Sequence, residues 1–105
     1  MKPEITLEHL KQLDIQSCKI LTCERIPKKD RLLLLTIETP YGEKKAVTNI
    51  GSQYNPEDLI NNYYPFVLNL QKTRIANNLS EAMIVCFSNN DKTILIESNQ
   101  GNIMF

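Results

Sequence analysis

The chain has one histidine, three glycines, an odd number of cysteines, no net charge and no long apolar run, and each shortage removes a class of protein. No apolar stretch approaches the roughly 20 residues that a helix needs to cross a bilayer. The opening residues, MKPEITLEHLKQL, carry acids and lack an apolar core. No signal peptide and no lipidation motif is expected, and the expected compartment is the cytoplasm. Cys18, Cys23 and Cys86 form no C-x-x-C pair, and no histidine lies near them in sequence. A disulfide framework and a Cys/His metal cluster both fail, which leaves buried free thiols in a reducing compartment. No glycine-rich phosphate loop or nucleophile elbow is present. His9 sits beside Glu8 on the polar side of a helical stretch, where a surface residue is far commoner than a base. Glu57 and Asp58 are adjacent carboxylates, but a helix start explains them through the helix dipole. No catalysis, cofactor, metal or membrane contact is expected.

What is there is 105 residues, enough for one domain with a core of its own, at 42% hydrophobic and 23% charged. Twelve cations balance twelve acids, whereas a dedicated nucleic-acid binder is usually basic. The charge is uneven, however. RIPKKDR, from Arg25 to Arg31, holds four cations and one acid; Lys44 and Lys45 follow, then Lys72 and Arg74. Local patches steer phosphates even at zero net charge. Ordinary solvated loops are the competing account, and composition alone favours it.

No repeat, linker or low-complexity tract interrupts the chain. Thr6 to Leu13 reads as a short helix, capped by Thr6, with Leu7, Leu10 and Leu13 on one face. Ile15 to Glu24 alternates as a strand, Pro27 to Asp30 makes a turn, and Arg31 to Thr39 is a strand apolar on both faces at its start. Pro40, Tyr41 and Gly42 form a hairpin turn before a returning strand, Lys44 to Asn49. Asn55, Pro56, Glu57 and Asp58 mark a helix start, with Asn55 as cap and Pro56 first. Tyr64 to Leu70, Met83 to Phe87 and Thr93 to Glu97 read as further strands. The doublets Asn61-Asn62, Asn77-Asn78 and Asn89-Asn90 suit helix ends or loops, because asparagine tolerates left-handed backbone.

The first five of these six strands, with a helix between the third and fourth, follow the order of an all-β OB-fold barrel. An open α+β sheet is the competing arrangement. The barrel would occupy 15–97, with a short N-terminal helix in 1–14, a second short helix between strands three and four, and a C-terminal extension over 98–105. Between the fourth and fifth strands lies NLQKTRIANNLSEAM, Asn69 to Met83, a polar segment bearing Lys72, Arg74 and a single acid, Glu81. A cation-bearing loop between strands is a plausible nucleic-acid contact.

Four segments carry a resemblance to the tRNA-binding domain family. They are ITLEHLKQLDIQSCKI, RIPKKDRLLLLTIE, NIGSQYNPEDLINN and NLQKTRIANNLSEAM, and the resemblance as a whole runs from about Ile5 to Glu97, nearly the whole chain. That family includes free-standing tRNA-binding proteins, C-terminal appendages of some methionyl-tRNA synthetases, part of the bacterial phenylalanyl-tRNA synthetase beta subunit, and a secretion-chaperone branch. The resemblance implies tRNA as partner, with an aminoacyl-tRNA synthetase or an unfolded polypeptide as others, and a homodimer. It puts the contact at the loop between strands four and five, helped by the RIPKKDR turn. The RNA-binding candidates are Lys28, Lys29, Arg31, Asn69, Lys72, Arg74, Asn77 and Ser80. Asn69, Ser80 and Met83 have an equally good structural reading, as residues that hold the loop to the core. The sequence departs from the family at Cys18 and Ala82, where members often have glycine, and at Ala76-Asn77, where they have Arg-Gly. Asn77 can take the left-handed conformation of glycine. Ala76 brings no charge, so the loop is less basic. A protein-binding, chaperone-like dimer on the same fold is the alternative. Ile103, Met104 and Phe105 are expected to pack against the body or a partner.

Overall fold

A computed structural model describes residues 1–105. β1 (Ile15–Ile26) and β2 (Lys29–Thr39) form a long antiparallel hairpin, and β3 (Gly42–Thr48) returns along β2. Only Pro27 and Lys28 separate β1 from β2, with Lys28 at φ +65°. Proline fixes the first turn position and the left-handed lysine fills the second, as a type II turn requires. The turn is thus shorter than the expected Pro27–Asp30, and Lys29 and Asp30 already belong to β2. At the next turn the Thr39 hydroxyl accepts the Tyr41 N–H at 3.0 Å and donates to the Gly42 carbonyl at 2.7 Å. Gly42 stands at φ +100°, where a Cβ would be strained.

α2 (Pro56–Leu59) begins where expected, although the Asn55 side chain makes no capping bond. Leu59 joins the core, 1% exposed. Asn61, at φ +71°, ends the segment and donates its N–H to the Ile20 carbonyl at 2.8 Å. β4 (Tyr63–Val67) then takes the free edge of β1. A separate hairpin of β5 (Thr73–Ile75) and β6 (Asn78–Ser80) follows, then β7 (Met83–Ile84) against β4. The main sheet therefore runs β3-β2-β1-β4-β7, an OB-type barrel laid open between its third and fifth strands.

That seam is stitched by the residues just before β7. The Glu81 N–H donates to the Lys45 carbonyl at 2.8 Å, and the Val47 N–H donates to the Ser80 hydroxyl at 3.1 Å. Exposed strand edges invite unwanted pairing, and these bonds occupy them. Inside, Leu33, Leu35 and Ile37 alternate from β2 against Ile20, Ala46, Phe66 and Leu59. Each fully buried Leu, Ile or Phe contributes roughly 1.5–3 kcal/mol. The protein is all-β, with two short helices.

The periphery differs from expectation. α1 (Leu7–Lys11) is capped as predicted, with the Thr6 hydroxyl accepting the His9 N–H at 3.1 Å. Its leucine face, however, is mostly uncovered: Leu10 is half-buried, but Leu7 is 59% and Leu13 40% exposed. The expected strand Met83–Phe87 splits at Val85, because its opposite residue is Pro65. The Val85 N–H reaches the Pro65 carbonyl at 2.9 Å, but proline has no N–H to return. The chain continues into a second hairpin, β8 (Cys86–Asn89) and β9 (Lys92–Leu95), turning through Asn90 and Asp91 at positive φ. β10 (Gly101–Asn102) pairs with β1 at Gln16 and Ser17. Beyond it Ile103, Met104 and Phe105 stay 46%, 93% and 45% exposed, so the body of this chain does not bury them.

Candidate nucleic-acid interface

The segment Asn69–Met83 is a built hairpin rather than an open loop. Ala76 and Asn77 form its two-residue turn at φ +50° and +66°, the double left-handed geometry of a type I′ turn. Asn77 sits exposed at the tip, and the Asn78 amide donates to the Ala76 carbonyl at 2.9 Å. In the β5–β6 register Arg74 lies opposite Leu79 on one face, while Thr73 with Ser80 and Ile75 with Asn78 share the other. Arg74 is exposed and has no ion pair.

Two of the candidates serve the scaffold. Ser80 is 3% exposed; its hydroxyl accepts from Val47 and donates to the Ala82 carbonyl at 3.1 Å. Asn69 accepts the Asp14 N–H at 2.9 Å and donates to the Gln12 carbonyl at 2.6 Å, tying the hairpin's first residue to the end of α1. Ser80 is buried, and Asn69, though exposed, spends its amide on the backbone, so both fit the structural reading. Burial and engagement across the fold are the reason, and no local sequence signal carries either.

Lys72 does reach the surface, but its ammonium lies 3.4 Å from Glu81 Oε1, the protein's single ion pair. Glu81 Oε2 accepts the Lys45 N–H at 2.9 Å. That amide, then Lys72 and Lys44, hold the Glu81 carboxyl below the usual carboxylate range.

The second basic element is the β1–β2 turn. Lys28, Lys29 and Arg31 line an open depression of about 510 Å³ with Asp30, Leu32 and Asn49. No carboxylate pairs with these three cations. Arg25, the first cation of the same run, turns inward. Its guanidinium donates to the carbonyls of Asp30 at 3.0 Å and Gly51 at 2.7 Å. Gly51 packs so closely there that a Cβ would lie 2.5 Å from the Asp30 oxygen. Arg25 and Gly51 thus fix the turn's shape, a role that sequence reasoning missed because the partners are backbone atoms 5 and 26 residues away.

The two elements flank one strand. The hairpin is anchored at Lys45 and Val47 of β3, and the depression ends at Asn49, just beyond it. Four residues of strand are about 13 Å. Lys28, Lys29 and Arg31 are therefore gathered at one end of β3, and Lys72, Arg74 and Asn77 project from its side.

A family model described as "Putative tRNA binding domain" matches residues 15–103. The chain belongs to this family. Among its relatives, the methionine–tRNA ligase of Clostridium perfringens is 30% identical over 104 residues, 99% of this chain and 16% of the ligase. That of Clostridium acetobutylicum is 34% identical over 95 residues, 90% of this chain and 15% of the ligase. The chain thus spans about one-sixth of the length of these relatives. A MetRS-related protein from Pyrococcus horikoshii superposes with a TM-score of 0.87 at 22% identity, covering 92% of this chain and 90% of that one. The chaperone CsaA from Bacillus anthracis does so with a TM-score of 0.85 at 24% identity, over 97% and 100%. At these identities the likeness is one of fold.

Proposed function

We propose that the protein is a non-catalytic module that binds tRNA or a similarly structured RNA. Lys28, Lys29 and Arg31 would contact phosphates at the turn, and Arg74 and Asn77 at the hairpin, joined by Lys72 where it is released from Glu81. The observation that supports this most is the turn itself: three unpaired cations around an open depression, fixed by Arg25 and Gly51. Phosphate contacts position a protein on RNA, and folded RNA is read largely by shape. An aminoacyl-tRNA synthetase is the fitting protein partner, given the relatives. No helix is long and apolar enough to cross a membrane, and an RNA partner fits the cytoplasm. The test is a titration of folded tRNA against duplex DNA across salt. Saturable binding that weakens with salt, and weakens further in K28A/K29A, supports the reading. Absence of saturable binding at low salt ends it.

A homodimer belongs to the same proposal. The uncovered leucines of α1 and the apolar end of the tail would be covered by a second copy. Light scattering that returned a monomer would refute this.

A second reading, a chaperone-like binder of unfolded polypeptide, draws on a different feature. Ile15, Pro65, Val85, Ile96 and Ile103 line a groove of about 240 Å³, and Phe87 and Ile94 pair in register on β8–β9 at 64% and 47% exposure. Failure to keep an aggregating client soluble would remove it.

A further inference from the structure

The hairpin's one acid stands where an anion would bind. Glu81 Oε1 faces the Lys72 ammonium at 3.4 Å, and Oε2 is held by the Lys45 N–H at 2.9 Å. The Glu81 main chain is pinned as well, its N–H bonded to the Lys45 carbonyl at 2.8 Å. The side chain is 18% exposed, whereas Lys72 is 61% exposed. The carboxylate is thus fixed and the lysine is free to move. Lys44 adds its charge near the carboxylate, while the Lys45 ammonium turns away to the Thr36 hydroxyl.

We propose that Glu81 is a specificity-determining residue, an internal competitor that holds Lys72 in place of an RNA phosphate. This rests on the RNA-binding reading above. A phosphodiester arriving at Lys72 must displace a carboxylate that cannot swing aside, and it meets that negative charge beside it. One isolated phosphate gains little there. A folded RNA that also reaches Arg74 and the β1–β2 turn keeps those contacts whether or not Lys72 is released. Glu81 therefore penalises generic polyanions more than the shaped partner, and disfavouring the wrong partner is one of the two routes to specificity.

Glu81→Gln tests this, because the glutamine oxygen can still accept the Lys45 N–H while the charge is gone. Binding of folded tRNA should tighten about five- to tenfold at low salt, with the salt slope steeper by about one phosphate's worth. Duplex DNA should gain more than folded tRNA, so the preference for folded RNA narrows, and an equal gain for both ligands overturns the specificity role. K72A should cost less than about twofold in the wild-type background and about tenfold in E81Q. A folded E81Q that binds no tighter overturns the proposal, as does a K72A cost equal in both backgrounds. Should E81Q melt, K72M in the wild-type protein decides: little loss is expected, and a tenfold loss refutes. Wild-type binding with E81Q unchanged removes only the role of Glu81. No binding by either protein removes the RNA reading and this proposal with it.

Discussion

The β1–β2 turn and the β5–β6 hairpin are both two-residue turns that carry cations, yet they hold them differently. In the turn, Arg25 donates to neutral carbonyl oxygens, which fixes its geometry without cancelling its charge. Lys28, Lys29 and Arg31 remain unpaired. Four cations less Asp30 leave three positive charges. In the hairpin, the anchor is itself an acid, and Lys72 and Arg74 less Glu81 leave one. Charge on a surface depends on which groups do the anchoring, and a count along the sequence does not show that.

Breaking this contrast should give the largest effect at the turn. Replacing Lys28, Lys29 and Arg31 by Ala should lower the salt slope of RNA binding by about two to three units, since each neutralised phosphate contributes about 0.7–0.9. Affinity at low salt should fall at least about a hundredfold, with little change in melting temperature because all three are exposed. R74A should cost about one unit. Equal losses from the turn triple and from R74A alone would erase the distinction. The anchors should behave in the opposite way. Ser80→Ala leaves the Val47 N–H without its partner at a buried site, which costs about 1–3 kcal/mol. For about 100 residues that lowers the melting temperature by several degrees at least. Urea unfolding measures the loss, and an unchanged midpoint would show that Ser80 does not clamp the seam.

Much of the barrel was legible because its signals are local. The apolar run Leu32 to Leu35 of a central strand, the Asn55-Pro56 helix start and the left-handed asparagines 61, 77 and 90 each follow from a few adjacent residues. Among the candidate residues, what the sequence made legible was exposure, at Lys28, Lys29, Arg31, Lys72, Arg74 and Asn77. Asn69 and Ser80 look like polar loop residues in sequence and are fastened to Gln12, Asp14 and Val47, 33 to 57 residues away. The break at Val85 likewise depends on Pro65 across the ladder. Long-range partners are what a one-dimensional pattern leaves out.

The two regions should also separate by pH. The Glu81 carboxyl is held below its ordinary value in the folded state. Its stabilisation is therefore present above the unfolded value of about 4.3 and is lost as pH falls through the lower folded one. E81Q should flatten this acid limb in urea titrations. On the turn side, burial pushes the thiols of Cys18 and Cys23 in β1 up to about 11, with Arg25 partly opposing the shift at Cys23. The folded state retains those protons longer, so stability is full below the ordinary thiol range and falls as pH rises toward 11. Cys23→Ala should remove part of the alkaline limb, with Cys18 keeping its own share, and leave the acid one alone. Limbs that respond to the opposite variants would reverse the assignment.

The smallest effect should come from the hairpin tip, and it separates shape from charge. Ala76 holds φ +50°, which costs a Cβ-bearing residue about 1–2 kcal/mol relative to right-handed backbone. Asparagine suits that conformation better, and Asn is favoured in type I′ turns. Ala76→Asn should therefore raise stability by about 0.5 kcal/mol and leave the RNA salt slope unchanged. Ala76→Arg keeps the strain and adds a cation beyond the reach of the fixed Glu81 pair. It should steepen the slope by just under one unit with no gain in stability. An Asn variant that binds RNA as tightly as the Arg variant would mean that hairpin rigidity, rather than its missing charge, limits binding.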